Sequence, residues 1–89
     1  MVPKEMHELL EFPCHYQFKA VGAAGEEFNR RVVAAIGSHV TVPRDAIRIR
    51  PSSKGNYQAV SVLVTLQSYQ QLLSIYAEIR KVPELKVLL

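Results

Sequence analysis

Pro51-Ser52-Ser53-Lys54-Gly55-Asn56-Tyr57 separates two runs of alternating apolar and polar residues, and no other segment restricts the fold as strongly. Pro51 lacks the N–H that an inner ladder requires, and Gly55 and Asn56 tolerate positive φ, so the segment reads as a hairpin connection. Ahead of it, Ile47-Arg48-Ile49-Arg50 alternates strictly. That predicts a strand whose two isoleucines enter the core while Arg48 and Arg50 project from the other face. Behind it, Tyr57 to Leu66 predicts a strand with Val60, Val62, Val64 and Leu66 inward.

The remaining elements follow from the same periodicities. His15 to Val21 alternates, with Tyr16, Phe18 and Ala20 on the inner side, and Gly22 to Gly25 loosens the backbone. Glu26 and Glu27 suit the positive end of a helix on which Phe28, Val32, Ala35 and Ile36 share one face. Gly37 is expected to end that helix in the left-handed conformation, and Ser38 to Asp45 to connect it onward. Ser68 with Gln71 three residues later forms a capping-box pattern ahead of Leu72, Ile75, Tyr76, Ile79 and Val82, a second helix that Pro83 stops. In the last strand Leu85, Val87 and Leu89 alternate with Lys86 and Leu88.

The order β-α-β-β-α-β predicts an α+β fold, the ferredoxin-like sandwich, with both helices on one face of a four-stranded antiparallel sheet. Residues 1–89 make one such domain, with 1–13 as an N-terminal arm in which Glu5 to Phe12 forms a helical turn before Pro13. The open sheet face should carry Gln17, Lys19, Val21, Arg48, Arg50, Tyr57, Ala59, Ser61, Leu63, Thr65, Lys86 and Leu88.

Composition narrows the classes of function. The formal charge of +3 comes from eleven basic and eight acidic residues interspersed, which is no polycationic nucleic-acid tail. Cys14 stands alone, so no intramolecular disulfide and no Cys-Cys metal pair is expected. His7, His15 and His39 fall in separate elements, and His7-Glu8-Leu9-Leu10-Glu11 lacks the second histidine of a zincin helix, so no metal site is expected. The absence of a signal peptide and of a long apolar run predicts a cytoplasmic protein that does not engage a membrane.

Glu8-Leu9-Leu10-Glu11-Phe12-Pro13, a strand ending at Gly22, and Pro51 to Tyr57 followed by Val60-Ser61 together resemble the YbeD-like family of small bacterial proteins. The resemblance covers nearly the whole chain. It implies a ferredoxin-like fold similar to the small-molecule-binding regulatory domains called ACT domains. It also implies a link to lipoate metabolism through gene neighbourhood. It supplies no catalytic residues and no cofactor.

Two surfaces are candidates for function. In the first, Ser52, Ser53, Lys54, Gly55, Asn56 and Tyr57 act together: hydroxyls, an ammonium and the Gly55 N–H converge on an anion, or on a protein that Tyr57 also contacts. This differs from a Walker loop, because the segment leads into a strand. The second is the open sheet face, where Lys19, Arg48, Arg50 and Lys86 would serve a nucleic-acid-binding domain. The outward aromatic pair that such domains use is missing, so nucleic acid ranks second. An apolar strip of Val21, Ala59, Leu63 and Leu88 on that face would suit a homodimer or another protein, as would the edges Ala46 to Arg50 and Leu85 to Leu89. No serine or cysteine has an identifiable base, so the leading expectation is a noncatalytic regulatory or adaptor domain.

Overall fold

A computed structural model describes residues 10–89. Four strands, β1 (Cys14–Ala23), β2 (Ile47–Pro51), β3 (Tyr57–Leu66) and β4 (Leu85–Leu88), form one sheet in the order β2-β3-β1-β4. Every neighbouring pair is antiparallel. Helices α1 (Glu26–Gly37) and α2 (Tyr69–Arg80) supply the crossovers, which makes the arrangement ferredoxin-like. The expected turn from Glu5 lies mostly outside the described residues, but Leu10 and Phe12 pack against the core.

The core lies between sheet and helices. Phe18 and Ala20 of β1 and Val60, Val62, Val64 and Leu66 of β3 meet Phe28, Val32 and Ile36 of α1 and Leu72, Ile75, Tyr76 and Ile79 of α2, all buried. Each of the larger side chains contributes about 1.5–3 kcal/mol by leaving water. The capping box forms, with Ser68 Oγ accepting from the Gln71 N–H at 3.1 Å. Gln71 Oε1 reaches back to the Gln67 N–H at 2.7 Å, one residue earlier than the reciprocal bond of the ideal box.

Four expectations need correction. Ile47 is half-buried against the core, but Ile49 is 44% exposed, because β2 is an edge strand and the helices pack over β1 and β3. In β4 the inner residues are Leu85 and Leu88, while Val87 and Leu89 face solvent. Register explains this: Val21 pairs with Val87 but Gly22 pairs with Leu85, so Lys86 is the extra residue of a bulge and the alternation flips there. Gly37 remains helical and Ser38 after it is right-handed, while Ser38 N–H and Val40 N–H close onto the Ala34 and Ile36 carbonyls. Positive φ occurs at Gly25 and Gly55 among the described residues, not at Asn56. The Ser38 to Asp45 connection runs into a short 3₁₀ turn, Arg44–Ala46.

Candidate functional site

The 52–57 hairpin is closed by its own hydrogen bonds. Ser52 N–H donates to the Tyr57 carbonyl at 2.8 Å, the Tyr57 N–H donates to Ser52 Oγ at 3.2 Å, and the Gly55 N–H donates to the Ser52 carbonyl at 3.0 Å. Gly55 turns the chain at φ +76°, which a side chain resists. The Asn56 carbonyl accepts from the Ala24 N–H at 3.1 Å, fastening the tip to the β1–α1 turn. One donor expected to meet an anion, the Gly55 N–H, is thus already engaged within the turn, whereas Ser52 Oγ accepts there and keeps its O–H proton to donate. Ser53, Lys54 and the Tyr57 ring stay exposed at one end of the sheet.

A residue absent from the sequence-based candidates locks this end. Gln58 is the one polar residue buried in the core among the described residues, and its side-chain amide donates to the Ala23 carbonyl at 3.2 Å and to the Gly25 carbonyl. Its inward parity in β3 was the available signal, since a buried amide requires partners.

The strand register organises the open face into rows. Lys19 and Arg48 both pair with Ser61, from opposite sides, and Val21 and Arg50 both pair with Ala59. Val87 continues the second row beyond Val21. Gln17, Lys19, Arg48, Ile49, Arg50, Ala59 and Ser61 line a cleft of about 390 Å³. Lys86, at the bulge, is exposed and does not line it. None of the four strands contains an acidic residue, and no ion pair engages Lys19, Arg48 or Arg50 among the described residues. The ion pairs lie instead around the helices, where Glu27 holds Arg30 and Arg31, Arg31 reaches Glu84 at 3.5 Å, and Lys81 pairs with Glu78 at 3.2 Å.

At the far end of the sheet a larger open cleft of about 710 Å³ is lined by His15, Asp45, Thr65, Gln67 and Gln71 among others. His15 Nδ1 bonds Thr65 Oγ1 at 3.0 Å rather than Asp45. Gln71 Nε2 donates to the His39 carbonyl at 2.7 Å, joining the α1–β2 connection to the start of α2.

Residues 7–89 match the family described as a protein of unknown function, DUF493. The chain belongs to the DUF493 family. The UPF0250 protein of Shewanella woodyi is 38% identical over 87 residues, 97% of each chain. The UPF0250 protein of Sodalis glossinidius is 36% identical over 86 residues, covering 96% and 97%. In three dimensions this DUF493 protein is similar to protein HP0495 from H. pylori, with TM-score 0.71 and 10% identity over 90% of this chain and 85% of that one. It is also similar to the ACT domain from GTP pyrophosphokinase of Chlorobium tepidum, with TM-score 0.65 and 13% identity over 85% and 83%. At those identities the likeness establishes the fold, which is ACT-like. No helix among the described residues is long and apolar enough to cross a membrane.

Proposed function

We propose that this DUF493 protein is a noncatalytic regulatory or adaptor domain that recognises its partner with the open sheet face and the adjoining 52–57 hairpin. One observation carries the reading: both helices cover the same side, leaving Tyr57, Leu63 and Val87 each nearly half exposed on the other. Those side chains flank cations that form no ion pair among the described residues, a combination suited to recognition rather than to packing within one chain. The fold also occurs as a separate domain of an enzyme, GTP pyrophosphokinase, which supports a modular role.

Nucleic-acid binding has the charge on its side but lacks stacking partners. Tyr16 and Phe18 pack edge-on against Tyr76 on the helix side, which leaves Tyr57 as the outward aromatic of the sheet.

A photoreactive residue introduced in cells at Leu63, and separately at exposed Gln70 on α2, tests the reading. Discrete crosslinked partners from Leu63 and none from Gln70 are expected. Equal labelling from both positions, or none from Leu63, overturns it.

A further inference from the structure

We propose that the cleft between β1 and β2 on the open sheet face binds a small anion carrying two or more phosphate or carboxylate groups. The inference rests on the reading of this face as the recognition surface and names what the face holds.

The register sets the geometry. Adjacent strands lie about 4.8 Å apart and residues two apart in a strand about 7 Å. Lys19 and Arg48, one strand to either side of Ser61, are therefore about 10 Å apart at the backbone, and Arg50 follows Arg48 on the same face about 7 Å further along. All three line one concavity with Ser61 and Gln17. A long side chain spans half such a distance easily, so two guanidinium forks and an ammonium can close on one ligand, with the Ser61 hydroxyl and the Gln17 amide as neutral donors in the lining. Arginine binds phosphate and carboxylate through paired parallel hydrogen bonds, which gives the site directional as well as Coulombic preference.

Charge argues for an occupant of this kind. Three exposed cations share the cleft with no acidic residue on any strand, so an arriving anion is attracted by all three and meets no opposing acidic side chain from the sheet. A second copy of this chain cannot supply it, since face-to-face pairing would set the same cations against themselves. A long polyanion fits less well: the cleft is about 390 Å³, within the range of small-ligand sites, and Tyr57, the outward aromatic, pairs with Ala23 one row beyond Arg50. The compact, doubly charged ligand matches the span between Lys19 and the two arginines.

The test is a titration of isotopically labelled protein with inorganic pyrophosphate, citrate, orthophosphate and a single-stranded oligothymidylate, followed by amide NMR at low salt. Saturable shifts centred on Lys19, Arg48 and Ser61 are expected with pyrophosphate or citrate, about tenfold tighter than with orthophosphate. Whichever of the two binds tighter assigns phosphate or carboxylate as the recognised group. Arg48→Gln and Arg50→Gln should each weaken binding at least several-fold, whereas Lys86→Gln should leave it unchanged. Absence of saturation in the millimolar range, or equal losses with Lys86→Gln and Arg48→Gln, overturns the proposal. So does an oligonucleotide that binds more tightly than either small anion and shifts residues out to Tyr57. Crosslinking from Leu63 that persists while no anion binds would sink this inference and leave the adaptor reading standing; anion binding without crosslinked partners would do the reverse.

Discussion

The buried amide of Gln58 donates to the carbonyl of Gly25, the residue from which α1 starts. Since Gln58 also donates to the Ala23 carbonyl, one side chain fixes the path between β1 and α1. Gln58→Leu keeps the volume but orphans both acceptors, and should lower stability by about 2 kcal/mol in urea unfolding. Gln58→Glu should be worse at pH 7. Its carboxylate would face two carbonyls and its folded pKa would rise, so stability should fall as pH rises from 4 towards 7. A pH-independent loss would show that the amide is not held as described.

Gly22 has no room for a side chain. A Cβ there would stand 2.6 Å from the Glu84 carbonyl oxygen and collide with the Phe28 ring. Gly22→Ala should cost about 3 kcal/mol, measured by thermal unfolding. Pairing it with Phe28→Leu should recover little, because the Glu84 carbonyl is main chain and cannot withdraw as a side chain can.

Alkaline unfolding should report on Tyr76. Burial first, then its 2.7 Å hydrogen bond to the Tyr16 hydroxyl and that hydroxyl's own charge, push its phenol well above the usual tyrosine range, with Arg80 opposing. The unfolded chain releases this proton near pH 10 while the folded chain retains it. Stability is therefore intact below about pH 10 and declines as pH rises beyond it. Tyr76→Phe should flatten that decline in denaturant titrations at successive pH values, at the expense of the hydrogen bond to the Leu89 main-chain oxygen.

Within the hairpin, structure and recognition should separate by residue. Ser52→Ala removes the acceptor for the Tyr57 N–H and should cost about 1 kcal/mol. Lys54→Ala and Ser53→Ala, which break no side-chain hydrogen bond among the described residues, should change stability by less than about 0.5 kcal/mol. Lys54→Ala should nevertheless weaken partner capture through the sheet face. Parallel losses of melting temperature and capture would refute that division.

Much of the fold was legible because side-chain parity along a strand is a local property. The inward series from Phe18 to Ala20 and from Val60 to Leu66 is buried as the alternation demands. Parity misled where a nonlocal feature intervened. The bulge at Lys86 depends on how β4 meets β1, and the exposure of Ile49 on how far the helices extend over an edge strand. The candidate cations were visible individually, as outward residues of two strands distant in sequence. That Lys19 and Arg48 flank the same serine is a matter of register, which alternation alone leaves free by steps of two.

Arg30, Arg31, Arg80 and Lys81 on the helical side are matched in number by Glu26, Glu27, Glu78 and Glu84, so the excess positive charge among the described residues resides with the acid-free strands. The molecule is consequently polarised from one face to the other. A negatively charged body approaching through dilute salt would turn it sheet-first before any contact forms, which raises the fraction of collisions that are productive. At high ionic strength that guidance fades within a few ångströms of the surface, and encounters become as random as the shape of the domain allows.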